Sequence, residues 1–254
     1  MINYITGSSG FVGSYLLKVL NKKSVICIPH SQIMNARLES FDSFYFLSTY
    51  GNMYFHDDDR QVIKANIEDL IYLLFEAVKC GFKSFIYMSS SSVNLPIQTM
   101  YSRTKKAAEE ILMAYIEKYE YPICIVRPYS ITGIGEQKEH LIPVLIDSCF
   151  TGKLVNFVPD SCHDWIDIRD IVNEIIRLSE SRTNGIFEIG SGILTSNKEV
   201  LELVEKITGR KANINIVESL RPYDNKSWCA EKQTGKISLE DTIKSMVETY
   251  VKRT

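Results

Sequence analysis

The sequence predicts an α/β protein with a doubly wound, mainly parallel sheet and a small cap formed mostly by the C-terminal part of the chain. Short apolar runs rich in β-branched and aromatic residues alternate with longer amphipathic segments through the first half. This alternation is typical of βαβ units, in which helices cover both faces of a parallel sheet. A chain of 254 residues is long enough to bury such a core. The formal charge of −2, without a local basic cluster, predicts no nucleic-acid partner.

The apolar periodicity places the elements in order along the chain. The first half predicts strands at 2–6, 24–29, 43–48, 83–89 and 122–127, and helices at 11–22, 60–80 and 101–119. After Arg127-Pro128 the pattern loosens and predicts helices near 140–150, 168–180, 196–208 and 238–252, with strands near 154–158, 186–189 and 212–217. Because neither a repeat nor a Pro/Gly linker interrupts the chain, we expect a single unit over residues 1–254.

The cysteines and the N-terminal residues indicate the cellular compartment in which we expect the protein. Six cysteines, at positions 27, 80, 124, 149, 162 and 229, contain no C-x-x-C pair, and Cys27 and Cys124 lie inside apolar runs that predict buried strands. We therefore expect reduced thiols. No basic segment precedes an apolar one at the N-terminus, and no apolar stretch approaches the about 20 residues that span a bilayer. We expect a cytoplasmic protein without a membrane partner, and without a metal, because the four histidines lack metal-ligand spacing.

A glycine-rich turn follows the first predicted strand and runs directly into the first helix. Its sequence is Thr6-Gly7-Ser8-Ser9-Gly10-Phe11-Val12-Gly13. Gly7 permits the tight turn, Gly10 lets backbone N–H groups approach a pyrophosphate, and Gly13 lets the helix pack closely on the strand. The helix N-terminus adds positive potential. This context predicts a Rossmann-like site for a dinucleotide.

A second pattern gathers a phenol, an ammonium and a hydroxyl. Tyr101 and Lys105 are four residues apart at the start of a predicted helix, so their side chains project from one face. The ammonium favours tyrosinate, so we expect a phenol pKa below its usual value of about 10. The preceding strand ends in Ser89-Ser90-Ser91-Ser92, at the edge where open α/β sheets bind ligands. These residue types are suited to proton transfer with a substrate hydroxyl or carbonyl.

These motifs resemble the extended short-chain dehydrogenase/reductases that act on nucleotide sugars. The resemblance covers nearly the whole chain. The matching segments are T-G-x-x-G-x-x-G at Thr6–Gly13, Asn66 opening a helix, S-S-x-x-V at Ser89–Val93, Y-x-x-x-K at Tyr101–Lys105, Arg127-Pro128, the acidic segment Asp164–Ile171, I-G-S-G at Ile189–Gly192, and Arg221–Asp224. The resemblance implies that residues 1–130 and 154–195 form most of the dinucleotide-binding core, while 131–153 and 196–254 contribute most of the substrate cap.

The resemblance also implies roles for individual residues. Ser90, Tyr101 and Lys105 match the family's catalytic serine or threonine, its acid/base tyrosine and its lysine. The implied cofactor contacts are Gly7, Ser9, Gly10, Phe11, Val12, Gly13, His30, Ser31, Leu47, Ser48, Thr49, Ser89, Tyr101, Lys105 and Pro128. The implied substrate contacts are Thr49, Ser91, Ser130 and Arg221. Family habit allows a homodimer through the helices at 60–80 and 101–119.

Two departures from the family concern the cofactor. The second strand ends in Ile28-Pro29-His30-Ser31, and no acid is available there to bind the adenosine ribose. Since an acid would repel a 2′-phosphate, its loss favours NADPH over NAD, with His30, Ser31 or Arg37 as contacts. Only about a dozen residues separate this strand from the next, too few for a helix, strand and helix. We therefore expect that one βα segment is missing.

The resemblance implies several possible functions, and the residues of this chain do not decide between them. We expect an NAD(P)-dependent reductase of a nucleotide-linked 4-keto-deoxysugar, in which Tyr101 donates the proton. A nucleotide-sugar 4-epimerase with retained NAD is the alternative, and a non-catalytic dinucleotide-binding protein is a third reading. Dehydration is disfavoured because Ser90 is not followed by the Asp-Glu pair of the family's dehydratases.

Overall fold

The computed structural model describes residues 2–20, 24–53, 56, 58–218 and 229–252. The chain divides into two compact units. The first comprises Met1–Pro128 and Val172–Glu188, and the second comprises Tyr129–Ile171 and Ile189–Thr254. Each unit therefore combines segments that are distant in the sequence.

The first unit is built on a six-stranded sheet of described residues. Its strands are β1 (Asn3–Thr6), β2 (Val25–Ile28), β3 (Phe41–Phe46), β4 (Phe82–Met88), β5 (Ile123–Pro128) and β9 (Gly185–Ile189), in the spatial order β2-β1-β3-β4-β5-β9. The pairs from β2 to β5 are all parallel. This confirms the Rossmann-like, mainly parallel sheet that the sequence predicts.

β2 forms one edge of this sheet. Between β2 and β3 the chain makes only a 3₁₀ segment, His30–Asn35, whose Ile33 is fully buried. No described strand lies outside β2, in agreement with the missing βα segment. Cys27 is exposed, so the prediction that it is buried was wrong. The reason is that, within the part of the chain that the structure describes, neither a further strand nor its helix covers β2, whereas Cys124 on the inner strand β5 is buried as predicted.

Helices of the first unit pack on this sheet. They are α1 (Phe11–Val19), α2 (Asp59–Ile63), α3 (Asp69–Cys80), α4 (Met100–Tyr119) and the C-terminal part of α6 (Ile168–Ser181). A π-helical segment, Lys64–Glu68, joins α2 to α3, so the predicted helix at 60–80 contains a local widening. The core beneath the helices includes the buried aromatic residues of β3, which are Phe41, Phe44, Tyr45 and Phe46.

The second unit contains small sheets and a separate apolar core. β6 (Ser130–Thr132), β8 (Cys162–Asp167) and β10 (Leu194–Ser196) form one sheet in the order β10-β8-β6, and β7 (Val155–Phe157) pairs with β11 (Ile214–Ile216). The helices α5 (Leu141–Thr151), α7 (Asn197–Thr208) and α8 (Leu239–Val251) contribute to its core. Sequence periodicity missed β6, β8 and β10, because they are short or rich in polar residues.

None of the described helices combines sufficient length with sufficient apolar character to cross a bilayer. The cytoplasmic location stays a prediction from the sequence.

Candidate active site

The glycine-rich turn joins β1 to α1. Gly7 has φ = +68°, and a Cβ on it would lie 2.7 Å from the Ser48 backbone nitrogen. A Cβ on Gly13 would lie 2.2 Å from the Gly7 carbonyl oxygen, so the close approach requires glycine. Gly10 begins α1 without a side-chain cap, and the first turn contains no acidic residue. Its backbone N–H groups are therefore suited to an anionic ligand. Three further predicted contacts lie at this end of the helix: Ser9, Phe11 and Val12.

The segment after β3 lies directly beside this turn. Thr6 Oγ1 accepts hydrogen bonds from the backbone N–H groups of Leu47 and Ser48, both at 3.2 Å, and from Ser48 Oγ at 3.0 Å. Leu47 is buried, Ser48 is partly buried and Thr49 is exposed. The three residues predicted to follow the cofactor are thus held at the carboxyl edge of β1 and β3.

The end of β2 lies on the other side of β1. His30 and Ser31 are both exposed, in the 3₁₀ segment that follows Pro29. His30 Nδ1 lies 3.2 Å from Oδ2 of Asp69 at the start of α3. β2 itself therefore ends without an acid, as its sequence indicates, but a buried carboxylate from α3 lies next to His30. Asp69 is remote in the sequence, so no strand-end pattern could reveal it.

The three residues predicted to transfer a proton come together in the first unit. The Tyr101 hydroxyl lies close enough to the side chains of Ser90 and Thr49 for both of them to lower its pKa. Lys105 Nζ lies 5.9 Å from the centroid of the Tyr101 ring and donates to the Met88 carbonyl oxygen at 2.7 Å. A ligand oxygen beside the phenol is thus within reach of the Ser90 hydroxyl as well.

Burial dominates the electrostatics of this group. Desolvation raises the pKa of Tyr101 above its ordinary value, although the hydrogen bonds with Ser90 and Thr49 lower it. The predicted direction for the phenol was therefore wrong. Burial also lowers the pKa of Lys105 from 10.5 to about 7, against the raising effect of Glu109. Because the lysine is partly deprotonated near neutral pH, it does not outweigh the burial of the phenol.

A buried ion pair lies one helical turn beyond Lys105. Glu109 is 2% exposed, and its carboxylate accepts from Arg127 Nε at 2.9 Å and Nη2 at 2.6 Å. Ser89, which was predicted to contact the cofactor, donates its hydroxyl proton to the same carboxylate. Sequence analysis missed Glu109. The repeated four-residue spacing of Tyr101, Lys105 and Glu109 is the signal that could have found it.

Asn66 holds the loop after β3 against α4. It is fully buried in the π-helical segment, a feature that is frequent at functional sites. Asn66 Oδ1 accepts from Thr49 Oγ1 at 2.9 Å and from the Tyr50 N–H at 3.2 Å. Its Nδ2 donates to the Tyr50 carbonyl at 2.9 Å and to Thr104 Oγ1 at 3.0 Å. These bonds fix Thr49 where it meets Tyr101.

The other predicted contacts are distributed over both units. Ser91 is buried at the start of a short 3₁₀ segment, Ser91–Asn94, and Pro128 is the buried last residue of β5. Ser130 begins β6 in the second unit and is partly buried. Arg221 lies outside the described residues.

The acidic segment that resembles the family forms the end of β8 and the start of α6. Asp164 accepts hydrogen bonds from three backbone N–H groups, and Asp170 accepts from two. The donors, at 2.6–3.0 Å, are Ser191, Gly192, Ala230, Lys236 and Ile237. Both carboxylates therefore tie distant segments of the second unit together.

The chain is similar to known proteins in sequence and in fold. Residues 42–190, more than half of the chain, match the model of the NAD dependent epimerase/dehydratase family. The low-salt glycan biosynthesis protein Agl12 of Haloferax volcanii is 24% identical over an alignment of 212 positions, gaps included, which covers 74% of this chain and 68% of that protein. The dTDP-D-glucose 4,6-dehydratase of Dictyostelium discoideum is 22% identical over an alignment of 275 positions, gaps included, which covers 80% of this chain and 61% of that protein. The chain thus spans less than two thirds of the length of that dehydratase.

A solved structure shares the fold. The UDP-glucuronic acid 4-epimerase of Bacillus cereus, in complex with UDP-glucuronic acid and NAD, superposes with a TM-score of 0.84 at 20% identity, covering 100% of this chain and 99% of that one. At this identity the likeness establishes the fold alone. The residues matched by the family model include Ser90, Tyr101 and Lys105. The chain belongs to the NAD dependent epimerase/dehydratase family, within the extended short-chain dehydrogenase/reductases, and is an enzyme of oxidoreductase type.

Proposed function

We propose that this enzyme reduces a nucleotide-linked 4-keto-deoxysugar, with Tyr101 as the proton donor and Ser90 positioning the carbonyl oxygen. The proposal rests above all on the contact between the Tyr101 hydroxyl and Ser90 at the carboxyl end of β4. Open α/β sheets bind their ligands at this edge. A relative named as a dTDP-D-glucose dehydratase and a fold neighbour that holds UDP-glucuronic acid support a nucleotide-sugar substrate.

The residues of the first unit fit a nicotinamide dinucleotide. The turn at Gly7, Gly10 and Gly13 leaves no room for a Cβ at its first and last glycines, and its helix end carries no competing carboxylate. This turn would hold the pyrophosphate, while Tyr101 and Lys105 would face the nicotinamide and its ribose. The fold neighbour contains NAD. The preference for NADPH that the sequence predicts has no support among the comparisons.

The chain supplies the proton and the charge control. The reduced nicotinamide, when bound, supplies the hydride. Because burial raises the pKa of Tyr101, the phenol keeps its proton at neutral pH and can donate it to the carbonyl oxygen. Ser90 stabilises this oxygen as negative charge develops on it. Donation leaves a phenolate beside Lys105, whose buried ammonium thereby gains a partner of opposite charge. Hydride and proton together convert the ketone to an alcohol.

A nucleotide-sugar 4-epimerase is the second candidate. It is favoured by the likeness to the fold of a 4-epimerase that contains NAD. An epimerase of this kind would copurify with NAD and would convert its substrate without net consumption of cofactor. The absorbance spectrum of the purified protein therefore separates the two reactions. A non-catalytic protein would bind the dinucleotide and turn over no sugar.

The decisive experiment follows the absorbance of NADH or NADPH with 4-keto-deoxysugars linked to UDP, TDP, CDP or GDP. We expect oxidation of the reduced cofactor only when a keto-sugar is present. Tyr101→Phe should lower kcat by about 100-fold or more with the fold intact, as for the loss of a general acid. Tyr119→Phe, at the exposed end of the same helix, should leave the rate unchanged. Normal turnover in Tyr101→Phe would exclude this phenol as the proton donor.

A further inference from the structure

We propose that His30, positioned by Asp69, recognises the adenosine ribose of the cofactor, and that this pair selects NAD over NADP. The inference rests on the proposed function, because it requires a dinucleotide bound along the turn between β1 and α1. His30 and Asp69, which belong to different elements, would together take the place of the acid that is missing at the end of β2. Asp69 acts through His30 and is therefore a positioning residue.

His30 lies where dinucleotide-binding sheets bind the adenosine ribose. β2 pairs in parallel with β1, and Ile28 lies opposite Thr6. Pro29 and His30 therefore extend past the edge of the sheet, beside the turn that begins at Gly7. In dinucleotide-binding sheets an acid about 20 residues beyond the glycine motif hydrogen-bonds the ribose 2′-hydroxyl. Here that place is taken by an imidazole whose side chain is 61% exposed and accessible to a ligand.

Asp69 supplies a buried carboxylate next to this imidazole. Its side chain is fully buried at the start of α3. Oδ1 accepts a hydrogen bond from Lys64 Nζ at 2.6 Å. Oδ2 has no hydrogen-bond donor among the described residues, although His30 Nδ1 lies only 3.2 Å away. A small rotation of the exposed imidazole directs an Nδ1 proton at this oxygen and satisfies it.

The carboxylate decides which ring nitrogen carries the proton. A proton on Nδ1 of His30 is attracted to Asp69 Oδ2, which leaves the lone pair of Nε2 pointing away from the carboxylate. Nε2 then accepts a hydrogen bond from a ribose hydroxyl, as a strand-end carboxylate would. An ionised 2′-phosphate has no proton to donate to this acceptor. An imidazole that accepts through Nε2 therefore favours the cofactor that keeps its 2′-hydroxyl.

Two described cations near His30, Lys64 and Arg37, already lie beside carboxylates. Lys64 forms its ion pair with Asp69. Arg37, which the sequence suggests as a contact for a 2′-phosphate, hydrogen-bonds the Tyr72 hydroxyl and lies 4.0 Å from a Glu76 oxygen. A 2′-phosphate would have to compete with Asp69 for Lys64 or with Glu76 for Arg37. This arrangement also favours NAD.

The test is the affinity for NADH and for NADPH, measured by fluorescence titration at one ionic strength. We expect the wild-type protein to bind NADH about tenfold more tightly than NADPH. His30→Ala should weaken NADH binding by about tenfold, which is the loss of one hydrogen bond, and should leave NADPH binding nearly unchanged. His30→Asp restores an acceptor, so it should bind NADH like the wild type and NADPH more weakly still.

A double-mutant cycle tests the positioning by Asp69. Asp69→Asn should weaken NADH binding when His30 is present and should have no further effect in the His30→Ala background. A merely structural contribution of Asp69 would lower the affinity equally in both backgrounds. Glu68→Gln, at the exposed neighbouring position, is the matched control and should bind both cofactors normally. Circular dichroism verifies the fold of each variant.

Two further outcomes would overturn the inference while leaving the proposed function intact. The first is wild-type affinity for NADH in His30→Ala. The second is a preference of the wild-type protein for NADPH. Failure of the wild-type protein to bind either dinucleotide is a different result, because it would overturn the proposed function together with the inference.

Discussion

Lys105→Met should stabilise the folded protein near neutral pH. The side chain is 1% exposed, and burial lowers the pKa of its ammonium from 10.5 to about 7. Between these two values the unfolded chain binds more protons than the folded one, so the free energy of unfolding of the wild type rises with pH. At neutral pH this burial therefore costs the wild type about 4 kcal/mol of stability, since one pKa unit corresponds to about 1.4 kcal/mol.

Methionine removes this titration but also removes contacts of the ammonium. Lys105 Nζ donates to the Met88 carbonyl at 2.7 Å and lies 4.8 Å from the centroid of the Tyr87 ring. Their loss costs about 1–3 kcal/mol. We therefore expect Lys105→Met to raise the free energy of unfolding by about 1–3 kcal/mol at neutral pH. The difference from wild type should fall by about 2 kcal/mol on going from about pH 7 to about pH 9.

Urea unfolding followed by circular dichroism measures both quantities. Lys106→Met is the matched control, because Lys106 is the exposed next residue of α4. Its free energy of unfolding should change with pH as that of the wild type does. If Lys105→Met and wild type instead showed the same pH dependence, Lys105 would have its ordinary pKa in the folded state. The reasoning from burial would then be refuted.

Two further variants test the neighbouring features. Glu109→Gln should lower the free energy of unfolding by about 3 kcal/mol, because Arg127 loses its buried ionic partner, whereas the exposed Glu110→Gln should change it by less than about 0.5 kcal/mol in the same urea titration. Gly13→Ala places a Cβ 2.2 Å from the Gly7 carbonyl oxygen, so NADH fluorescence titration should show that dinucleotide binding is lost. Wild-type affinity in Gly13→Ala would show that the turn can widen without harm.

Sequence periodicity predicted the first unit well because its elements are long and its apolar faces are continuous. The helix predicted at 101–119 is observed as Met100–Tyr119, and each of the five strands predicted in the first half is present. The strands β6, β8 and β10 of the second unit were missed. β6 and β10 have only three residues each, too few for an alternation of apolar and polar residues to be recognised. β8, Cys162–Asp167, contains few apolar residues, so it shows no clear alternation either.

The candidate site was predictable where its residues are close in sequence. Tyr101 and Lys105 share one helical face, so their proximity follows from the four-residue spacing. The contact between His30 and Asp69 depends on how the short connection after β2 folds back on α3, and no local pattern encodes it. The pKa direction of Tyr101 was mispredicted for a related reason. Burial decides it, and burial depends on the whole surrounding fold.

Two buried charges of the first unit are less well satisfied than the acidic segment of the second unit, and this difference helps to separate structural from functional residues. Asp164 accepts hydrogen bonds from three backbone N–H groups. Burial raises the pKa of Asp167, but its hydrogen bonds, led by those from Arg169, outweigh this effect and bring the pKa below its usual value. Such carboxylates are already satisfied, so they stabilise the second unit. In the first unit, burial brings Lys105 to a pKa of about 7, and Asp69 Oδ2 has no donor among the described residues. Groups that folding leaves poorly satisfied gain most from a ligand, so the burial of Lys105 and Asp69 supports the binding edge proposed above, whereas the acidic segment that resembles the family stabilises the second unit.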